Sequence, residues 1–327
     1  MKAVLLSLGL LFGLEASPAT AEPLTVISAN LSRFALLTNA TSFGPFTWRG
    51  GIELTSPNEK FGGLSGLVVT DECTALRAIS DAGRWITAKV AYTNDVLSGL
   101  ADAAIAPILD SKGKPPLGKL WGDAEAIAEG PNGKTMVGFE SRARVGAYAM
   151  NNKGLKATFE NLNPPKEIVR GPPNGELESV GYFAGSALKG FYLAVAESNL
   201  DARGRTRAWV WNNKRSLAFS IKQIEGYEIT DLAMLPNSDI LLLQRSYGVM
   251  TLPGMAISRF SPSAIKAGKT VVPLTLLETR VPFYAIDNME GLAVCERNGE
   301  LRVNIISDNN FQTDLQRTLL LQFAYTP

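Results

Sequence analysis

Along this chain, short apolar runs of four to eight residues, rich in β-branched side chains, alternate with turns bearing Gly, Asn and Pro. That rhythm predicts strands and hairpins, not helices. One phrase recurs. GGLSGLVVTDECTALRAISD (62–81) and MEGLAVCERNGELRVNIISD (289–308) share an apolar run, a polar turn, a second apolar run and a closing Ser-Asp.

The opening of that phrase occurs five times, at Ser65, Glu125, Glu178, Asp231 and Glu290, at intervals of 60, 53, 53 and 59 residues. Each copy leads to a second apolar run that ends on a polar side chain: Asp81, Glu140, Glu197, Arg245 and Asp308. Between the two runs lie turn signals such as Pro131-Asn-Gly133, Pro236-Asn-Ser238 and Arg297-Asn-Gly299. A repeated hairpin cannot bury its faces alone and stacks on its neighbours, so the repeat predicts blades. Only Ser261–Ala267 reads as a short capped helix. The expected fold is all-β, a single β-propeller of four-stranded antiparallel blades. Six blades is the preferred reading and five the alternative. The segment Pro23–Lys60 carries strand-like stretches without the motif. It supplies either a degenerate sixth blade or outer strands that close the ring against the C-terminal RTLLLQFAY.

Residues 1–21 stand apart. Lys2, the apolar run Val4–Leu14 and Ala19-Thr20-Ala21 read as a signal peptide cleaved after Ala21. This predicts a periplasmic or secreted protein whose one domain is 22–327, with no transmembrane segment. Net charge is +1, which gives no reason to expect a nucleic-acid partner. Cys73 and Cys295 are the two cysteines, at comparable places in the first and last copies. Export favours a Cys73–Cys295 disulfide, and a buried free pair is the alternative. A monomer is expected.

The chain has no histidine. That excludes Ser-His-Asp and Cys-His catalysis and any His-ligated metal, and leaves carboxylates, Lys, Arg, hydroxyls or an oxygen-ligated metal. Acids at the start of each inner strand would converge on one mouth of the propeller channel and suit a hard cation such as calcium. The other reading is structural, each acid bonding the backbone of a neighbouring blade. Arg142 follows the second-run acid Glu140 and Arg245 follows Gln244, where guanidinium groups match phosphate oxygens or form salt bridges between blades. DARGRTR (201–207) reads as an exposed hairpin tip.

GGLSGL with ISD (62–81), EAIA with GFESR (125–142), ITDLAMLPNSDILLLQRS (229–246) and DNMEGLAV with IISDNNF and QRTLLLQF (287–323) resemble the phytase-like propeller family, whose bacterial members carry the description "esterase-like activity of phytase". The resemblance runs from about Phe61 to Phe323. It implies an exported propeller and, by the family's description, hydrolysis of phosphoesters on a small anionic substrate. The signature positions fall on Ser65, Asp81, Glu125, Glu140, Asp231, Arg245, Glu290 and Asp308. Ser65 stands where the other copies have an acid, and Gln244-Arg245 replaces an expected Glu-Arg pair.

From the resemblance and the acids together, the expected site has calcium held by Glu125, Glu140, Glu290 and Asp308. Its catalytic set is Glu125, Glu290, Arg142 and Arg245, the two arginines neutralising charge on phosphoryl oxygens. The alternative is a non-catalytic propeller that binds a small ligand or an envelope protein.

Overall fold

The apolar runs become strands buried on both faces. In the inner strand Leu64–Thr70, Leu67 packs toward one neighbouring blade while Val68 packs toward the other, the period-2 alternation of a strand used twice. The computed structural model describes residues 20–169, 177–248 and 251–327. The expected signal peptide lies almost wholly outside the described residues.

Five sheets make five blades. From inner to outer strand, blade 1 runs Leu64–Thr70, Ala75–Ser80, Arg84–Thr93 and Val96–Pro107, with Glu22–Pro23 added at its edge. Blade 2 is Ala124–Glu129, Thr135–Phe139, Arg144–Tyr148 and Glu160–Asn161. Blade 3 is Ser179–Tyr182, Tyr192–Leu200, Thr206–Trp211 and Ser216–Ile221, extended by the parallel pairing of Thr270–Val271. Blade 4 is Glu228–Met234, Ile240–Gly248, Thr251–Phe260 and Leu274–Arg280.

Blade 5 answers the question of blade number. Its strands Met289–Arg297, Glu300–Ser307 and Thr318–Tyr325 come from the C-terminus, and Phe46–Thr55 and Ile27–Asn30 complete it from the N-terminus. Leu320 pairs with Ile52 and Tyr325 with Phe46. The propeller therefore has five blades, and the preferred six is corrected. The stretch that lacked the motif could not form a blade because it had no inner hairpin of its own. It closes the ring as outer strands.

Five apolar clusters fill the five interfaces between blades, one each. Between blades 4 and 5 lie Leu241, Met255, Val303, Leu319 and Phe323, and between blades 5 and 1 lie Ile306, Leu320, Leu67 and Leu76. The other three sit between blades 3 and 4, 2 and 3, and 1 and 2. The hairpin turns read from the sequence hold Asn132, Gly133, Ser238, Asn298 and Gly299 at positive φ. The expected helix at 261–267 is a single 3-10 turn, Pro262–Ala264, capped by Ser261. Cys73 and Cys295 are disulfide-bonded with Cα atoms 5.5 Å apart, tying blade 1 to blade 5. Among the described residues no helix is long and apolar enough to cross a membrane.

Candidate functional site

In three of the inner strands the repeat position falls on a shared irregularity. Leu64 pairs with Ser80 and Gly66 with Ile79, so Ser65 is the extra residue of a β-bulge. Glu125 lies between Ala124 and Ala126, which pair with Phe139 and Gly138, and Glu290 lies between Met289 and Gly291 in the same way. In blade 4 the bulge falls between Ile229 and Asp231, so its residue is Thr230. The sequence alignment of Asp231 with the other acids is thus corrected by one position. Asp231 is fully buried and accepts the amides of Leu292 at 2.6 Å and Leu232 at 2.7 Å, so it braces blade 4 against blade 5.

The second-run residues Asp81, Glu140 and Asp308 reach the same mouth, their amides bonding the carbonyls of Gly63, Asp123 and Asn288. Those three residues, with Glu228 opposite Arg245, form a further column that the motif search missed. Its signal was present as an acid or amide two residues before three of the four bulge positions, Asp123-x-Glu125, Glu228-x-Thr230 and Asn288-x-Glu290, with Gly63 standing there before Ser65.

Two groups of side chains result. In blade 2, one ligand atom each from Asp123, Glu125 and Glu140 lie within 4.8 Å of one another. Asp123 is buried, its Oδ2 accepts the Ser141 hydroxyl, and its Oδ1 has no hydrogen-bond partner. Lys119 Nζ stands 3.1 Å from Asp81 Oδ2 and 3.4 Å from Asp123 Oδ1. In the second group, Arg245 joins three blades. It donates to Glu197 at 2.9 Å, to Asn288 at 2.8 Å and to Glu290, whose carboxylate also takes the Asn288 side-chain amide at 2.9 Å.

The expected metal set is therefore divided. Glu125 and Glu140 come together with Asp123, whereas Glu290 is taken up by Arg245 and Asn288. Asp308 Oδ1 accepts the backbone amides of Leu64 at 3.0 Å and Asn310 at 2.9 Å. Arg142 is exposed at the rim and stacks on Trp121, 4.4 Å from the ring centroid.

Several carboxylates of the mouth are shifted upward, as is the buried brace Asp231. Burial, then the Glu178 and Asp123 carboxylates, push Glu125 well above the usual carboxylate range. Burial, then Glu197, push Glu178 up against the opposing pull of Arg245. Burial raises Glu197 as well, and takes Asp308 up to about 6 despite its two backbone amides. Clustered carboxylates without histidine, one of them buried with an unbonded oxygen, fit a hard oxygen-ligated cation such as calcium. A cavity of about 620 Å³ lies at the opposite end of the channel, walled by Leu67, Ile127, Val180, Leu232 and Leu292. The mouth acids are not part of its lining.

The fold likeness to solved structures is distant. The tail fibre of Staphylococcus aureus phage P68 is 10% identical with a TM-score of 0.41, and the match covers 90% of this chain and 55% of that one. A protein of unknown function from Dyadobacter fermentans DSM 18053 is 11% identical with a TM-score of 0.39, covering 88% of this chain and 99% of the other. No curated protein matches the sequence. The model of the phytase-like family, described as esterase-like activity of phytase, matches residues 59–311, and the chain belongs to that family.

Proposed function

We propose that this propeller is an exported, cation-dependent phosphoester hydrolase that works at its acidic mouth. The observation that carries the reading is the cluster of Asp123, Glu125 and Glu140, set in one mouth with the Arg245 guanidinium. Calcium held by these three carboxylates would supply a Lewis acid for a phosphoryl oxygen and lower the pKa of an attacking water. Arg245, oriented by Glu197, Glu290 and Asn288, offers its charge to the phosphoryl group as negative charge builds there. Glu178, its carboxyl pushed up by burial and by Glu197, would give a proton to the departing alkoxide. The protons of the attacking water leave with the phosphate, and Glu178 regains one from solvent. Arg142 guards the rim on Trp121 and meets an anionic substrate before the inner residues do. Residues 1–21 would be the export signal, and the Cys73–Cys295 bond suits a periplasmic or secreted location.

A second reading, an exported propeller that binds a ligand without turnover, is favoured by the use of Asp308 and Glu290 in internal bonds. The deciding experiment is phosphate release from phytate and from p-nitrophenyl phosphate by residues 22–327, with calcium and with excess EDTA. Calcium-dependent release that Glu125→Gln abolishes supports the hydrolase. No release from folded protein in either condition rejects it in favour of the binding propeller.

A further inference from the structure

We propose that Lys119 is the resident counter-ion of the acidic mouth, and that it sets the mouth's affinity for a divalent cation by competing for the same carboxylates. This rests on the reading of Asp123, Glu125 and Glu140 as a cation site. The Lys119 ammonium is in ion-pair contact with Asp81 of blade 1 and Asp123 of blade 2, and Glu125 adds to its electrostatic hold. It therefore sits against a member of the candidate ligand set and beside a second.

A single ammonium satisfies this site poorly. Asp81 Oδ1 and Asp123 Oδ1 are both buried with no hydrogen bond, although Lys119 lies within reach of both residues. A lysine offers three donors from one point, whereas calcium gathers six to eight oxygens. The oxygens left without a hydrogen bond match the second case.

The segment that carries Lys119 is fixed, while its side chain is held only through the ammonium's contacts with Asp81 and Asp123. The helical turn Lys119–Gly122 is held by the Asp123 amide on the Lys119 carbonyl at 2.9 Å and by Arg144 on the Trp121 carbonyl. Gly122 packs so closely on Gly83 that a Cβ on Gly83 would come within 2.9 Å of the Gly122 Cα. The Lys119 side chain is 65% exposed, so it can swing into solvent without disturbing that turn. Binding of a divalent cation then exchanges one tethered charge for two free ones, and the released ammonium lies next to whatever anion the cation brings in.

The test is calorimetric titration of residues 22–327 with calcium chloride at constant ionic strength, comparing the native chain with Lys119→Gln and Lys119→Arg. Removing a unit charge near a divalent ion should tighten binding on the order of tenfold. Lys119→Arg keeps the charge and should stay near the native affinity. Equal or weaker binding by Lys119→Gln overturns the competition while leaving the cation site standing. No binding by any of the three, each confirmed folded by its melting transition, overturns the cation site and this inference with it.

Discussion

Asp231 reaches out of blade 4 and accepts the amide of Leu292 in blade 5 at 2.6 Å, while its second oxygen accepts the amide of Leu232. The chain thus spends one of its repeated acids on joining two blades. Asp231→Ala leaves two buried amides unmatched and should cost about 2–3 kcal/mol in urea unfolding. Calcium affinity should not change. A loss of cation binding at unchanged stability would place Asp231 in the mouth after all.

Glu125 should behave in the opposite sense. It is held among Glu178, Asp123 and Asp81, so its charge is a burden on the free protein. Glu125→Gln should leave stability near pH 8 equal or raise it by about 1 kcal/mol, because one buried charge is removed. The same variant should lose calcium binding and phosphate release. A destabilised protein that still binds calcium would show that Glu125 is a bracing residue.

The raised acids also fix a pH dependence. Asp308 has its folded-state value lifted to about 6 from an ordinary 3.8. Between those two values the folded protein holds a proton that the unfolded chain has released, so stability falls as pH rises through that window. Glu125, Glu178 and Glu197 shift the same way and extend the loss upward. Without calcium the melting temperature should be higher at pH 5 than at pH 8. Calcium should raise it more at pH 8, where fewer protons compete for the oxygens. A calcium effect that is larger at pH 5 would contradict the carboxylate site.

Much of this was legible in the sequence for one physical reason: a hairpin repeated at similar intervals has to stack. The turn positions at Asn132, Ser238 and Asn298 were read correctly because positive φ leaves a residue signature. The blade number was legible only as a choice between six and five. The closure of Phe46–Thr55 against the C-terminal strand was one of two readings of that segment, and no local pattern decides for a partner more than two hundred residues away. The error at Asp231 came from counting acids along the chain, whereas the bulge counts backbone positions and gives the place to Thr230. Lys119 was missed because it belongs to a connection between blades, outside the repeat.

The bond between Cys73 and Cys295 closes the ring beside the paired strands Phe46–Thr55 and Thr318–Tyr325. Across a separation of 222 residues the cross-link restricts the unfolded chain strongly. Replacing both cysteines with alanine should cost about 2–5 kcal/mol. The sheet closure, together with the ion pairs of Asp95 with Arg297 and Arg302, should still hold the fold. An unfolded double variant would make the disulfide the sole latch.

Arg245 carries the most crowded set of interactions in the mouth. Its guanidinium neutralises Glu197 and Glu290 at once, and its charge also works against the rise of Glu178. Arg245→Met would leave those carboxylates facing one another without a cation, and breaking a largely buried pair from one side costs about 3 kcal/mol. Part of that loss should return at low pH, where the acids can protonate, and part on adding calcium, which supplies the missing positive charge. Arg245→Lys restores one charge but not the fork that reaches Glu197, Asn288 and Glu290 together, so it should recover stability better than phosphate release. Urea unfolding at pH 5 and pH 8, with and without calcium, separates these effects. If Arg245→Met were equally destabilised in all four conditions, the arginine would act through packing and not through its charge.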